Sequence, residues 1–327
     1  MPRKNTKKSK NYKNTIKGRL FEFVLRRLIE RSGFKTNLDR SDLPQLTKNL
    51  KKLHGRGGTY AADLIGIFRM PIPFAYPFLL IGEAKNYKSR IGIGEARAFL
   101  GAFTDISQYP RIDTRSKVLK FSQIFKSSRF TYIPVMFASN GFNRNAQAFL
   151  YAHGVYFVSY ENSSIINGIR SKIEEVTNKI NYKNLNGREI KNLDSIEKFV
   201  KLNSNFKITG YDSAIMELTN SINPIISYIG VIDNKWPIHF LTRRKIALNT
   251  ALRYAKFSIK NNEIAIKYMG KFSLPSGFLK EYIKIAGGES KILHDLILYL
   301  PAEERIIPLY IKLTSEERDL NRKDQQQ

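Results

Sequence analysis

The sequence contains no cysteine. That removes disulfides, thiolate nucleophiles and cysteine-ligated zinc together, and it fits a reducing cytoplasm, which is the expected location. No stretch approaches the roughly 20 uninterrupted apolar residues of a membrane span. No apolar signal region follows the basic opening MPRKNTKKSK, so neither a membrane partner nor secretion is expected. Histidine is scarce, four in 327 residues, and neither His239 nor His294 has a partner at metal-ligand spacing. Acid is scarce as well. There are 28 Asp and Glu against 55 Lys and Arg, for a net charge of +27.

The charge is unevenly spread. Residues 1–160 hold 29 Lys and Arg against 9 Asp and Glu, whereas residues 161–327 hold 26 against 19. Met1–Leu20 carries eight basic residues and no acid. Lysine and arginine at this density neutralise phosphates and release counterions, so a polyanion is the natural partner. Anionic lipid fits less well, because no strongly amphipathic basic helix stands apart from the core pattern.

Hydrophobic residues make up 42% of the chain, enough for a real core, and the length suits two domains. Residues 1–14 read as a flexible basic arm. From about Thr15 to Ser32 the apolar residues Phe21, Val24, Leu25 and Leu28 recur at helical spacing, and Gly33 stops the run. Residues 35–58 read as loop with room for one short strand. Ala61–Arg69 and Tyr76–Lys85 read as strands joined in a hairpin, since the prolines between them exclude a central strand. A helix over Gly94–Ser107, a strand over Phe130–Ser139, a helix over Phe142–His153 and a strand over Val155–Tyr160 follow. The last three form a βαβ unit with parallel strands. The expected fold of residues 15–160 is therefore α/β, a mixed sheet flanked by helices. Residues 161–205 read as a linker or helical bridge with a helical patch at Ile165–Ile180. Residues 206–327 read as a separate α+β domain with strand-like runs at Ile225–Ile232, Phe257–Tyr268 and Leu293–Leu300.

Strand parity picks out a constellation. Along Tyr76–Lys85, residues 79, 81, 83 and 85 share one face, so Glu83 and Lys85 project together. Folding the hairpin about Pro73 brings Asp63 opposite Glu83. Two facing carboxylates are costly to bury unpaired, and a divalent cation with oxygen ligands resolves the conflict. A lysine beside them can orient or deprotonate a water, or hold negative charge on a phosphorane. Asp63, Glu83 and Lys85 are thus the expected catalytic residues, with Asp63 and Glu83 as metal ligands. Taken alone, a Glu-x-Lys triplet is common and would equally make a strand-end ion pair.

The order of four stretches is more specific than the triplet. GRLFEFVLRRLIERSGFK, GRGGTYAADLIG, EAKNYKSRIGIGEARAFLGAF and FASNGFNRNAQAFLYAHGVYFVSYE together resemble the Mrr-like restriction endonuclease catalytic domain over residues 18–160. The spaced Asp63 and Glu83-Ala84-Lys85 resemble the PD-(D/E)xK nuclease motif. The resemblance implies a restriction-endonuclease-like fold and a Mg²⁺-dependent endodeoxyribonuclease, with Mn²⁺ as a substitute. It implies a role in restriction or antiviral defence against foreign DNA. It matches Glu22 to the first-helix acid that supports the metal. Two departures stand out. Ala62 precedes Asp63 where proline is frequent, and the loop holding Pro71, Pro73 and Pro77 is longer than usual. The resemblance says little about residues 161–327.

Further expectations concern the substrate. Double-stranded DNA is the expected partner, and cutting two strands favours a homodimer. The glycines of His54–Gly58 could approach a phosphate backbone, with Arg56 adding charge. Lys88 and Arg90 follow the catalytic strand and are expected to bind nucleic acid. So are Arg243, Arg244 and Lys245, which lie near Trp236 and Tyr254. Two alternatives stay open: a structure-specific nuclease of the junction-resolvase type, and a nucleic-acid-binding module without catalysis.

Overall fold

A computed structural model describes residues 3–48, 52–70, 75–109, 129–179, 211–232, 236–243, 254–258, 263–266, 270–273, 294–300 and 305–312. Side-chain surroundings are described for fewer of these, and not for residues 3–12.

The first helix, α1 (Arg3–Arg31), is continuous through the segment expected to be a flexible arm. Long straight-chain lysines and arginines tolerate a helix, and the amphipathic turns that follow anchor it. From Ile16 onward the buried residues Leu20, Phe21, Val24, Leu25, Leu28 and Ile29 recur at helical spacing. Gly33, at φ +97°, ends the run in a conformation that glycine adopts without strain.

Five strands make the first sheet. They are β1 (Phe34–Lys35), β4 (Leu64–Phe68), β5 (Phe78–Lys85), β6 (Thr131–Ala138) and β7 (Tyr156–Ser159), in that spatial order. β1 and β4 are antiparallel, as are β4 and β5, whereas β5, β6 and β7 are parallel. A separate two-stranded ladder pairs β2 (Leu53–His54) with β3 (Thr59–Tyr60). The helices α2 (Ile93–Ser107) and α3 (Arg144–Ala152) cover one face. α3 begins at a true cap, with the Asn143 side chain accepting from the Ala146 N–H at 2.8 Å. The mixed sheet flanked by helices is the α/β arrangement that the pattern of elements implies.

Alternation along β5 splits the core in two. Leu80 and Ala84 face α1, together with Leu64, Val135, Phe137 and Val158. Leu79 and Ile81 face the opposite way, towards Ala96, Phe99, Ala146 and Leu150 of α2 and α3.

Beyond Tyr160 come α4 (Ser164–Lys179), α5 (Tyr211–Ile222) and a seven-stranded mixed sheet. Its strands are β8 (Ile226–Ile232), β9 (Trp236–Thr242), β10 (Tyr254–Ser258), β11 (Glu263–Ile266), β12 (Gly270–Ser273), β13 (His294–Leu300) and β14 (Arg305–Lys312). Packing does not break at residue 160, where a domain boundary was expected. One continuous apolar cluster joins α1 and the first sheet to Ile169 and Val176 of α4, Leu218 of α5, Leu241 of β9 and Tyr299 of β13.

Two polar devices hold the same junction. Arg31, at the end of α1, donates from Nη1 to the carbonyl oxygens of Ile222 (2.7 Å), Asn223 (3.0 Å) and Ile225 (2.8 Å). It thereby satisfies carbonyls left open where α5 ends. His239 is enclosed among Tyr160, Ser227 and Ser32. Its Nδ1 lies 2.5 Å from the Tyr160 hydroxyl, and its Nε2 lies 2.5 Å from the Ser227 hydroxyl. Burial pushes the His239 pKa down to about 3, so the ring stays neutral, with one ring nitrogen donating and the other accepting.

Candidate active site

The β4–β5 ladder sets the site. Leu64 pairs with Gly82, Ile65 with Ile81, Gly66 with Leu80 and Ile67 with Leu79. One step outward from the Leu64–Gly82 pair, Asp63 falls opposite Glu83, the register that folding about Pro73 predicts. Gly82 is needed there. A Cβ at that position would lie 2.8 Å from the Cβ of Leu64, so a side chain would push β4 away from β5 just beside Asp63.

Asp63 turns its carboxylate towards β5, where Oδ2 accepts the Ala84 N–H at 2.9 Å. This pins the acid to the strand that carries Glu83 and Lys85. Glu83 and Lys85 form an ion pair, and their side chains are only 23% and 22% exposed. Lys85 also lies 6.0 Å from the centre of the Tyr87 ring. Glu22 enters from α1. Arg19, one turn earlier, donates to it at 2.9 Å, and Arg26, one turn later, reaches the Asp63 carbonyl at 3.5 Å. The structure therefore brings Glu22, Asp63, Glu83 and Lys85 to one end of the sheet, flanked by Arg19 and Arg26.

The electrostatics follow from crowding acids in a half-dry place. Burial, then the Asp63 charge, raises the Glu22 pKa to about 7 against the opposing pull of Arg19. Burial raises the Asp63 pKa, opposed by the Ala84 N–H and by Lys85, Arg19 and Arg26. Burial and Asp63 raise the Glu83 pKa, opposed by Lys85. For Lys85, burial works against the charge, but Glu83 and Asp63 outweigh it and raise the pKa. Lys85 is accordingly held as an ammonium.

The donor set suits a hard divalent cation, since the Asp63 charge that raises the pKa of Glu22 and of Glu83 is relieved by shared positive charge. Among the described residues, no three acids or histidines are gathered tightly enough to hold an ion by themselves. Two carboxylates completed by water are, however, an ordinary magnesium set.

The other expected residues divide. Within the His54–Gly58 run the amides of His54, Gly55, Arg56 and Gly57 are already bonded inside the protein. The Gly57 N–H meets both oxygens of Asp105 at 3.0 Å, and the Arg56 N–H meets the Asp105 carbonyl at 3.0 Å. The run is latched to the end of α2, with the Arg56 side chain exposed. Arg90 is paired: its Nη2 lies 2.6 Å from Glu161 Oε1 and its Nε 3.0 Å from the same oxygen. Lys88 and Arg243 are exposed. Arg244 and Lys245 lie outside the described residues, and the side-chain surroundings of Trp236 and Tyr254 are not described.

Reading the sequence missed Arg19, Arg26 and Asp105. The first two were findable, because they stand three and four residues from Glu22 and so share its helix face. Asp105 had no local signal, because its partners lie some 48 residues away in sequence.

No family model matches the chain, and no curated protein matches it. A solved structure that is similar is the crystal structure of a protein of unknown function, AF1548. The identity is 14%, the match covers 62% of this chain and 98% of that one, and the TM-score is 0.31. A likeness this loose carries no conclusion about fold or function. None of the helices among the described residues is long and apolar enough to cross a membrane.

Proposed function

We propose that the chain is a divalent-metal-dependent DNA endonuclease of the Mrr-like, PD-(D/E)xK kind, acting in restriction of foreign DNA. One observation carries the reading: Asp63 and Glu83 stand opposite each other at the strand ends, with Lys85 beside them and Glu22 arriving from α1.

Asp63 and Glu83 would hold the cation, Mg²⁺ or Mn²⁺, and Glu22 would support it. When bound, the ion lowers the pKa of a water and neutralises charge on a phosphodiester. The protein residues do the remainder. The Ala84 N–H fixes the Asp63 carboxylate, so one ligand needs no reorganisation. Arg19 offsets the Glu22 charge. Lys85 is held as an ammonium. An ammonium there can hold negative charge on the pentavalent phosphate or orient a water, two of the roles expected for Lys85.

The basic first half of the chain suits a nucleic-acid substrate. A homodimer, which would place two such sites on one duplex, belongs to the same proposal. The test is incubation of methylated and unmethylated plasmid with the chain, with Mg²⁺ and with chelator. Metal-dependent nicking or linearisation supports the reading. Tight binding without cleavage under Mg²⁺ and Mn²⁺ overturns it in favour of a non-catalytic binding module.

A further inference from the structure

α1 spans Arg3–Arg31, about 43 Å at 1.5 Å per residue. Among the residues whose side-chain surroundings are described, its apolar anchoring begins at Ile16. Before that, residues 3–13 read RKNTKKSKNYK, with six Lys or Arg, no acid and no aliphatic side chain.

Left to itself this is a poor helix. Cations gather at the positive end of the macrodipole, and the first turn has no acid to offset them. Arg3 and Lys7, and Lys4 and Lys8, are like charges at i,i+4. Lys4 and Lys7, Lys7 and Lys10, and Lys10 and Lys13 repeat the conflict at i,i+3. Asn5, Thr6, Ser9 and Asn11 add little helix propensity. A polyanion laid along the segment relieves both charge conflicts.

The segment is also aimed. Eighteen residues make five helical turns, so positions 4 and 8 lie on the stripe of positions 22 and 26. Those two belong to the site, through Glu22 and through the contact of Arg26 with the Asp63 backbone. The stripe runs outward from the site for about 27 Å, the span of about eight phosphates on one DNA strand.

We propose that the N-terminal half of α1 is a rail for duplex DNA, holding the phosphates that flank the position where cleavage occurs. The inference rests on the nucleic-acid part of the proposed function. A membrane is the wrong partner, because residues 3–13 have no apolar face to bury in lipid.

The test uses the full chain and a variant carrying Arg3→Gln, Lys4→Gln, Lys7→Gln, Lys8→Gln and Lys10→Gln together. Glutamine preserves helix propensity, and circular dichroism confirms that the variant folds. Affinity for a long duplex is measured across salt concentrations in chelator, so binding is scored apart from cleavage. The log–log salt slope of the variant should be shallower by about 4 to 5, at roughly 0.9 for each of the five charges removed. Cleavage at saturating duplex should stay within about twofold, since these residues do not touch the reacting atoms. An unchanged slope overturns the rail. So does a loss of binding to phosphatidylserine vesicles with duplex binding intact, because that outcome makes the segment a lipid contact. If the unaltered chain cleaves nothing but the slope falls as expected, the rail stands and the nuclease reading falls.

Discussion

Asp63 and Glu83 face each other across the end of the β4–β5 ladder, and the Asp63 carboxylate is tied to the next residue of the partner strand, through the Ala84 N–H at 2.9 Å. Two acids in such positions are natural neighbours only if something positive joins them. Lys85 supplies part of that charge.

The lysine is therefore the sharpest point of substitution. Lys85→Ala should lower the cleavage rate by about 10²–10⁴-fold while DNA affinity changes little. Single-turnover cleavage measured beside equilibrium binding separates the two. Cleavage by Lys85→Ala at the unaltered rate would remove Lys85 from the site.

Glu22 gives a pH signature. Its folded pKa is raised from 4.5 to about 7 by burial and by Asp63, so folding favours the protonated form. Its contribution is full below the ordinary carboxylate range and is lost as pH rises through about 7. The loss is on the order of 3 kcal/mol. Melting of the metal-free chain in chelator should show a midpoint that falls between about pH 5 and pH 8, and Glu22→Gln should flatten that fall. Mg²⁺ should recover stability at the higher pH by binding the ionised carboxylates. A Glu22→Gln variant with the same pH dependence as the parent would show that the charge conflict lies elsewhere.

Gly82 is a packing requirement beside the site. Gly82→Val places a branched side chain where even a Cβ would meet the Leu64 Cβ at 2.8 Å. Overpacking of this kind costs about 1–3 kcal/mol, and here the displaced strand end carries Asp63. Cleavage should fall more than the melting midpoint suggests. Full activity at reduced stability would mean that the Asp63–Glu83 spacing is not critical.

The Asp105 latch predicts a local effect. Asp105→Ala removes the acceptor that holds the Gly57 N–H, a loss of about 1–3 kcal/mol for a charge-assisted bond, and less for an exposed one. Limited proteolysis should open the chain near Gly55–Gly58 before global unfolding. Unchanged resistance there would show that the β2–β3 ladder holds the run alone.

Much of the site could be read from the sequence because it depends on two short periodicities. The period of two along β5 put Glu83 and Lys85 on one side, and the turn centre fixed the register that brought Asp63 across. The period of 3.6 on α1 placed Glu22 beside the apolar stripe. What escaped was set by distant partners. Asp105 reaches the glycine run from the end of α2. Arg31 gains its role from the end of α5, and Ser32 and Tyr160 gain theirs only when β8 and β9 pack against the first sheet. The break expected at residue 160 rested on a change in composition, whereas the apolar residues of α4 and α5 continue the core of α1. The N-terminal helix escaped because its charges oppose helix formation locally.

The most direct test of the proposed chemistry is cleavage of supercoiled plasmid by the purified chain, followed over Mg²⁺ concentration for the unaltered protein and for Asp63→Asn. The expected result is metal-dependent conversion to nicked and linear forms by the unaltered chain. Asp63→Asn should show no conversion while still binding DNA. Conversion by Asp63→Asn at the same rate and the same Mg²⁺ requirement would contradict the assignment of Asp63 and Glu83 as the metal-holding pair.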